Sequence, residues 1–113
     1  MMWIANSYAK INLGLQVLER LSTGYHRIET GFCFLEWKDR FEVQESGEMK
    51  LELTDENIPS DGRNLILKAV EVLQRYVGLK HSYHIKVEKH IPAGAGLGGG
   101  SSNAALTLRM LNK

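Results

Sequence analysis

Two patterns place this 113-residue chain in the α+β class. Runs of alternating apolar and polar residues, the mark of strands, lie on both sides of one stretch whose apolar residues recur at helical spacing. A glycine-rich loop then separates the last alternating run from a second helical stretch. Together these give about five strands and two helices, and the short links between the early strands predict an antiparallel meander. The length suits one domain with a modest core. The chain is 43% hydrophobic and 24% charged, the balance of a soluble globular protein. A net charge of +1 offers no basic stripe for nucleic acid and no charged face for a membrane surface. No apolar run approaches the ~20 residues of a membrane span, and the N-terminus lacks a signal-peptide pattern. A single cysteine, Cys33, rules out a disulfide within the chain. A cytoplasmic location is the expectation.

The first strand is expected over residues 8–18, where Ile11, Leu13, Leu15 and Val17 alternate with Lys10, Asn12, Gly14 and Gln16. Alternation sets Lys10 and Asn12 on one face, about 7 Å apart, as either an ordinary wet face or a small polar cluster aimed at a ligand. Residues 19–25 read as a loop turning at Thr23-Gly24. Tyr25 and His26 close it. An adjacent ring and imidazole suit stacking on a flat ligand, although a single histidine is more often structural. Ile28, Thr30, Phe32 and Phe34 mark a second strand, Phe41 and Val43 a third, and Met49, Leu51 and Leu53 a fourth after the turn at Ser46-Gly47. Trp37 and Phe41 read as sheet packing, the charged residues between them as a solvated face, and Cys33 as a small core residue.

A polar connection over residues 55–63, with Pro59 and Gly62, leads into a helix from about Asn64 to Val77. Its apolar stripe is Ile66, Ala69, Val70, Leu73 and Val77, and Gly78 stands just past its end. Asn64 is either the N-cap or a neighbour of a ligand. A fifth strand runs from Tyr83 to Ile91, with Tyr83, Ile85 and Val87 inward and His84, Lys86, Glu88 and His90 outward. The two histidines lack the partners of a metal site and read as exposed. The last helix is expected from Ser101 to Leu111, packing through Ala104, Ala105, Leu108 and Leu111.

Five of the eleven glycines fall between Gly94 and Gly100, in the run Pro92-Ala93-Gly94-Ala95-Gly96-Leu97-Gly98-Gly99-Gly100-Ser101-Ser102. Three readings compete. The run can be a flexible linker. It matches the G-x-G-x-x-G pattern of dinucleotide binding, but the acidic residue that belongs about 20 positions later would lie beyond the sequence. It can also hold a nucleotide triphosphate without being a Walker loop, since no Gly-Lys-Ser/Thr follows. The triple glycine followed by two serines, at a helix start, favours the third. Helix N-termini present unpaired N–H groups and a positive dipole end to an anion. Ser101 and Ser102 can cap the helix and offer hydroxyls to a phosphate or a metal-bound water.

Three motifs occur in order: Ala9-Lys10-Ile11-Asn12-Leu13-Gly14-Leu15, Thr23-Gly24-Tyr25-His26-Arg27-Ile28-Glu29-Thr30, and Pro92 through Ala104. With them the chain resembles the 4-diphosphocytidyl-2-C-methyl-D-erythritol kinases, a family of the GHMP kinase superfamily that serves non-mevalonate isoprenoid synthesis. The glycine motif indicates the superfamily, and the other two narrow it. The resemblance spans residues 1–113 but only the N-terminal part of the family's chain. It implies a ribosomal-protein-like mixed sheet with helices on one face and a left-handed β-α-β crossover, where the usual hand would be right. It implies ATP and Mg²⁺ as cofactors and the 2-hydroxyl of the small-molecule substrate as phosphoryl acceptor.

By that resemblance Pro92, Ala93, Gly94, Ala95, Gly96, Leu97, Gly98, Gly99, Gly100, Ser101 and Ser102 would bind ATP, with Ser102 also toward the metal. Asn64 and Leu65 would border the adenine. Lys10 would be catalytic, Asn12 would hold the substrate, and Tyr25 and His26 would frame its cytosine. Two departures stand out. Tyr8 replaces the family's usual proline. The family's catalytic aspartate follows the glycine loop in sequence not present here, as does its C-terminal domain. The expectation is therefore an N-terminal portion of a longer kinase, inactive alone and prone to self-association through uncovered apolar patches. Alternatives are another GHMP small-molecule kinase of homoserine or mevalonate type, or a non-enzymatic anion-binding module.

Overall fold

The computed structural model describes residues 2–112, and the side chains of residues 14–16, 29, 30 and 32 lie outside that description. The expectations for Leu15, Thr30 and Phe32 fall among those. In order come β1 (Met2–Arg20), β2 (His26–Ser46), β3 (Lys50–Leu53), α1 (Leu65–Val77), β4 (Ser82–Glu88) and α2 (Gly99–Leu111). The strands make a mixed four-stranded sheet in the order β1-β2-β4-β3. β1 and β2 are antiparallel, β2 and β4 are antiparallel, and β3 and β4 are parallel.

The predicted meander is corrected on two counts. The second and third expected strands are one strand, β2, because the polar residues between Phe34 and Phe41 stay in the ladder with β1. β3 does not return along β2. The edge of β2 from Arg40 to Ser46 is taken by β4, so β3 pairs on the far side of β4, and α1 supplies the crossover that parallel pairing demands.

Both helices pack on one face of the sheet. Phe41 and Val43 of β2, Leu51 of β3, and Tyr83, Ile85 and Val87 of β4 meet Ile66 and Leu73 of α1 and Leu111 of α2 in one buried cluster. Trp3 adds to it from β1, its ring centroid 6.2 Å from that of Tyr83. The opposite face carries Arg40, Glu42, Lys86 and Glu88 at paired positions, a charged, solvated ladder.

Helix α1 matches its sequence signals. Asn64 caps it by accepting from the Ile66 N–H at 2.9 Å, and Gly78 ends it in the left-handed region at φ 63°. Ile66, Ala69 and Leu73 are buried, whereas Val77 is exposed. α2 departs more. It begins at Gly99 under Gly98, with no side-chain cap, so Ser101 and Ser102 lie inside its first turn and do not cap it. It buries Gly99, Asn103, Thr107 and Leu111, spaced by four, and leaves Ala105 and Leu108 exposed. Gly99, with no side chain, brings the start of the helix close to Ile91, and Leu111 reaches the core cluster from its last turn.

Past Tyr8 the two long strands continue alone. The β1–β2 pairing shifts between Tyr8 and Lys10, and from there to Arg20 and His26 it forms a ribbon that no third strand joins among the described residues. On it Ile11, Leu13, Val17 and Ile28 are exposed. Among the described residues no layer covers this face. Cys33 is also exposed, its thiol turned to the Phe34 carbonyl. Trp37, at the register shift, is about half exposed rather than packed in the sheet.

Candidate functional site

The glycine loop is suspended between β4 and α2 and is tied to β1. Lys10 makes both ties: its backbone N–H donates to the Leu97 carbonyl at 2.9 Å, and its Nζ donates to the Gly96 carbonyl at 3.2 Å. Gly94, Gly96 and Gly98 have φ of 69°, 75° and 68°, while the residues between them have negative φ. An alternation of this kind curls successive N–H groups into an anion-binding concavity. A side chain at any of the three would be strained. Gly98 faces a second constraint, since a Cβ there would lie 2.9 Å from Lys10 Cε.

Ser102 N–H donates to the Gly98 carbonyl at 2.9 Å, the first bond of α2. The N–H groups of residues 98–101 precede that bond and are the orphan donors of a helix start. Among the described residues none accepts a backbone bond from them. Of residues 98–101, Gly98 and Ser101 line a cleft of about 750 Å³ together with Lys10, Gly96, Ser102, Tyr8, Phe34 and, from the last turn of α2, Arg109, whereas Gly99 is buried against Ile91. The lining contains two cations and no carboxylate. A smaller cleft of about 180 Å³ lies on the other side of the loop, where Asn64 and Leu65 face Pro92, Ala93 and Gly100.

The predicted site residues divide accordingly. Lys10, Gly96, Gly98, Ser101 and Ser102 come together at the large cleft, Gly100 lies at the small one, and Gly94, Ala95, Leu97 and Gly99 line neither. Asn64 and Leu65 join Pro92 and Ala93 at the small one. The Asn64 amide is also engaged in structure, donating to the Pro59 carbonyl at 2.7 Å while its oxygen caps α1. Asn12 lies on the Lys10 face of β1, since both pair with β2 at alternate positions of one register. Tyr25 and His26 sit at the far end of the ribbon, beyond two further register shifts, and do not line the cleft. His84 and His90 lie near Glu52 and Glu88, at 3.4 and 3.9 Å.

Sequence reasoning missed the buried polar cluster behind the loop. Asp39 and Asn103 are almost fully buried, and the Lys89 side chain is 5% exposed. Asp39 Oδ2 accepts from Lys89 Nζ at 2.5 Å and from Asn103 Nδ2 at 3.0 Å. Its Oδ1 accepts from the N–H groups of His90 and Ile91 at 2.6 and 3.0 Å. Asn103 also takes a bond from Lys89 Nζ at 2.8 Å and donates to Ser7 Oγ at 2.6 Å. Burial pushes the Asp39 carboxyl up, but the Lys89 ammonium and the donated N–H groups outweigh it, and the net shift is downward. This cluster also ends β4 at Glu88, short of the expected Ile91. The next three N–H groups leave the ladder, Lys89 for Thr54 Oγ1 and the other two for Asp39. The signal was phase. Asp39 alternates in step with Phe41 and Val43, Lys89 with Tyr83, Ile85 and Val87, Ser7 with Trp3 and Ala5, and Asn103 lies four residues from Gly99 and Thr107.

A family profile described as the GHMP kinases N terminal domain matches residues 64–113, which include α1, β4, the loop and α2. A solved 4-(cytidine 5'-diphospho)-2C-methyl-D-erythritol kinase superposes with a TM-score of 0.78 at 36% identity, over 97% of this chain and 40% of that one. The chain is thus similar, in sequence and in fold, to the N-terminal part of GHMP kinases. Its sequence is 44% identical over 107 residues to the 4-diphosphocytidyl-2-C-methyl-D-erythritol kinase of Prosthecochloris aestuarii, covering 95% of this chain and 37% of the relative. It is 47% identical over 103 residues to the enzyme of the same name from Chlorobaculum parvum, covering 91% and 36%. The chain thus spans little more than a third of the length of the curated relatives it matches. The mevalonate kinase of Methanococcus jannaschii shares the fold at a TM-score of 0.69 and 16% identity, over 99% of this chain and 40% of that one.

Proposed function

We propose that this chain is the nucleotide-binding, N-terminal part of an ATP-dependent kinase that phosphorylates the 2-hydroxyl of 4-diphosphocytidyl-2-C-methyl-D-erythritol. The observation that carries the reading is the meeting of Gly98 and Ser101, at the start of α2 where N–H groups are left without helical partners, with Lys10 at one cleft beside the glycine loop. Donors fixed before a ligand arrives stabilise charge without reorganising, which is most of what phosphoryl transfer asks of a protein. Magnesium-bound ATP would supply the transferable phosphoryl group and the divalent charge that steadies it.

In this reading residues 94–101 cradle the phosphates through main-chain N–H groups. Lys10 offsets charge on the transferring group and beside the acceptor hydroxyl. The Ser101 and Ser102 hydroxyls reach a phosphate oxygen, and Ser102 also the metal. Asn64, Leu65, Pro92 and Ala93 border the adenine. Asn12 holds the acceptor molecule along the polar face of β1, and Tyr25 and His26 frame its cytosine. On this reading the chain binds ATP without turning it over. The compartment is the cytoplasm, and the partner is a small molecule rather than nucleic acid or membrane.

Calorimetry of the 113-residue chain with Mg·ATP, ADP, NAD and cytidine diphosphate tests this. Binding of ATP and ADP in preference to NAD is expected, weakened by Lys10→Ala. No affinity for ATP would overturn the nucleotide reading. Cytidine affinity untouched by Tyr25→Ala and His26→Ala would turn the substrate toward another GHMP kinase type. Turnover by this chain at an ordinary 1–10³ per second would refute its inactivity.

A further inference from the structure

The glycine loop spans two anchors, Ile91 before it and Asn103 after it, and both anchors bind the same buried carboxylate. Asp39 Oδ1 takes the N–H groups of His90 and Ile91, and Oδ2 takes the Asn103 amide and the Lys89 ammonium. Asn103 passes the connection to Ser7, on the strand that carries Lys10. Three parts of the chain, β2, the segment after β4, and α2, therefore meet at one side chain that touches neither cleft, and β1 joins them through Asn103. A buried network with every member satisfied has one low-energy arrangement and fixes what is attached to it. Each end of the loop is attached.

We propose that Asp39 is the positioning residue of the phosphate loop: it sets the separation and orientation of the loop's two ends, and through them the aim of the main-chain donors of residues 94–101. The inference rests on the nucleotide reading of the loop. Asp39 acts through Ile91 and Asn103, and contacts no ligand itself. The lowered pKa agrees, since the carboxylate form is the one the cluster holds.

Asp39→Asn in the 113-residue chain tests it. The amide keeps the shape but sets an NH₂ group among donors. Two readouts are taken, the ¹⁵N–¹H shifts of residues 94–101 without nucleotide, and the ratio of ATP affinity to adenosine affinity. The expected result is displaced loop shifts and a ratio lowered about tenfold, with adenosine affinity nearly constant. A role confined to stability would lower the melting temperature and leave both readouts in place in the folded variant, which would overturn the proposal. Should Asp39→Asn fail to fold, Ser7→Ala removes one acceptor of the cluster and keeps the ion pair. It is expected to move the same shifts and lower the ratio about threefold, and unmoved loop shifts would overturn the proposal. If the unmutated chain binds neither ATP nor tripolyphosphate, the nucleotide reading falls while the shift comparison still decides whether Asp39 places the loop.

Discussion

The two ends of the β1–β2 pair follow one alternating pattern and meet different fates. From Met2 to Tyr8 against Lys38 to Gln44, the inner face is covered by α2 and by the core that α1 completes. From Lys10 to Arg20 against His26 to Phe34, the pairing runs on with no layer over it among the described residues, and Leu13, Val17 and Phe34 are exposed. Alternation specifies a strand with two unlike faces, and it does not specify what lies against either. The covered end buries even charged groups, because Asp39, Lys89 and Asn103 satisfy one another. The bare end leaves large apolar side chains in water.

Substitutions in the two halves should separate them. Phe41→Ala at the covered end is expected to cost about 3–5 kcal/mol in urea unfolding, and Phe34→Ala on the ribbon less than about 0.5 kcal/mol. A comparable loss from both would mean the ribbon is covered after all. The next effect belongs to Gly99, where a Cβ would stand 2.8 Å from Ile91 Cγ2 and 3.2 Å from Ile91 Cβ in a buried contact. Gly99→Ala should destabilise by about 1–3 kcal/mol, whereas Gly62→Ala, with open space around it, should be neutral or slightly stabilising.

Acid should act on the covered end first. The Asp39 carboxyl titrates lower when folded than when unfolded, so its contribution is whole above its ordinary range and disappears as pH falls through the folded value. Unfolding free energy measured on the acid side of pH 4 should decline with a slope that Asp39→Asn flattens. Asp61, held at about 2 by the Arg63 guanidinium, shifts the same way but is exposed, and Asp61→Asn should leave that slope nearly intact. Asn64→Ala should cost about 1 kcal/mol through loss of the α1 cap. Smallest in stability are Leu13→Lys and Val17→Lys. They should leave the unfolding midpoint nearly unchanged and reduce self-association in light scattering, and scattering identical to that of the unmutated chain would show that the ribbon is not the adhesive surface.

Much of the site was legible beforehand because its signals are local. A glycine run before a helix needs no distant residue to announce an anion site, and Lys10 stood out by its place in a motif. Helix α1 could be read with its caps, since Asn64 and Gly78 act within a turn of themselves. The Asp39 cluster was not read, because charge spoke for solvent while phase spoke for the interior. Only the partner positions, 50 and 64 residues away, decide between the two.

By itself, then, the sequence determined the elements that answer to short-range rules: the strand alternation, the cap and stop of α1, the bend of the glycine loop, and the likeness to the family that its motifs mark. Tertiary structure alone decided that β3 would join β4 in parallel, that the charge at Asp39 would be buried, and that one stretch of β1 and β2 would be sheathed and the next left bare. Each of those outcomes depends on which surfaces meet, and the free energy of a contact between distant segments belongs to neither segment alone.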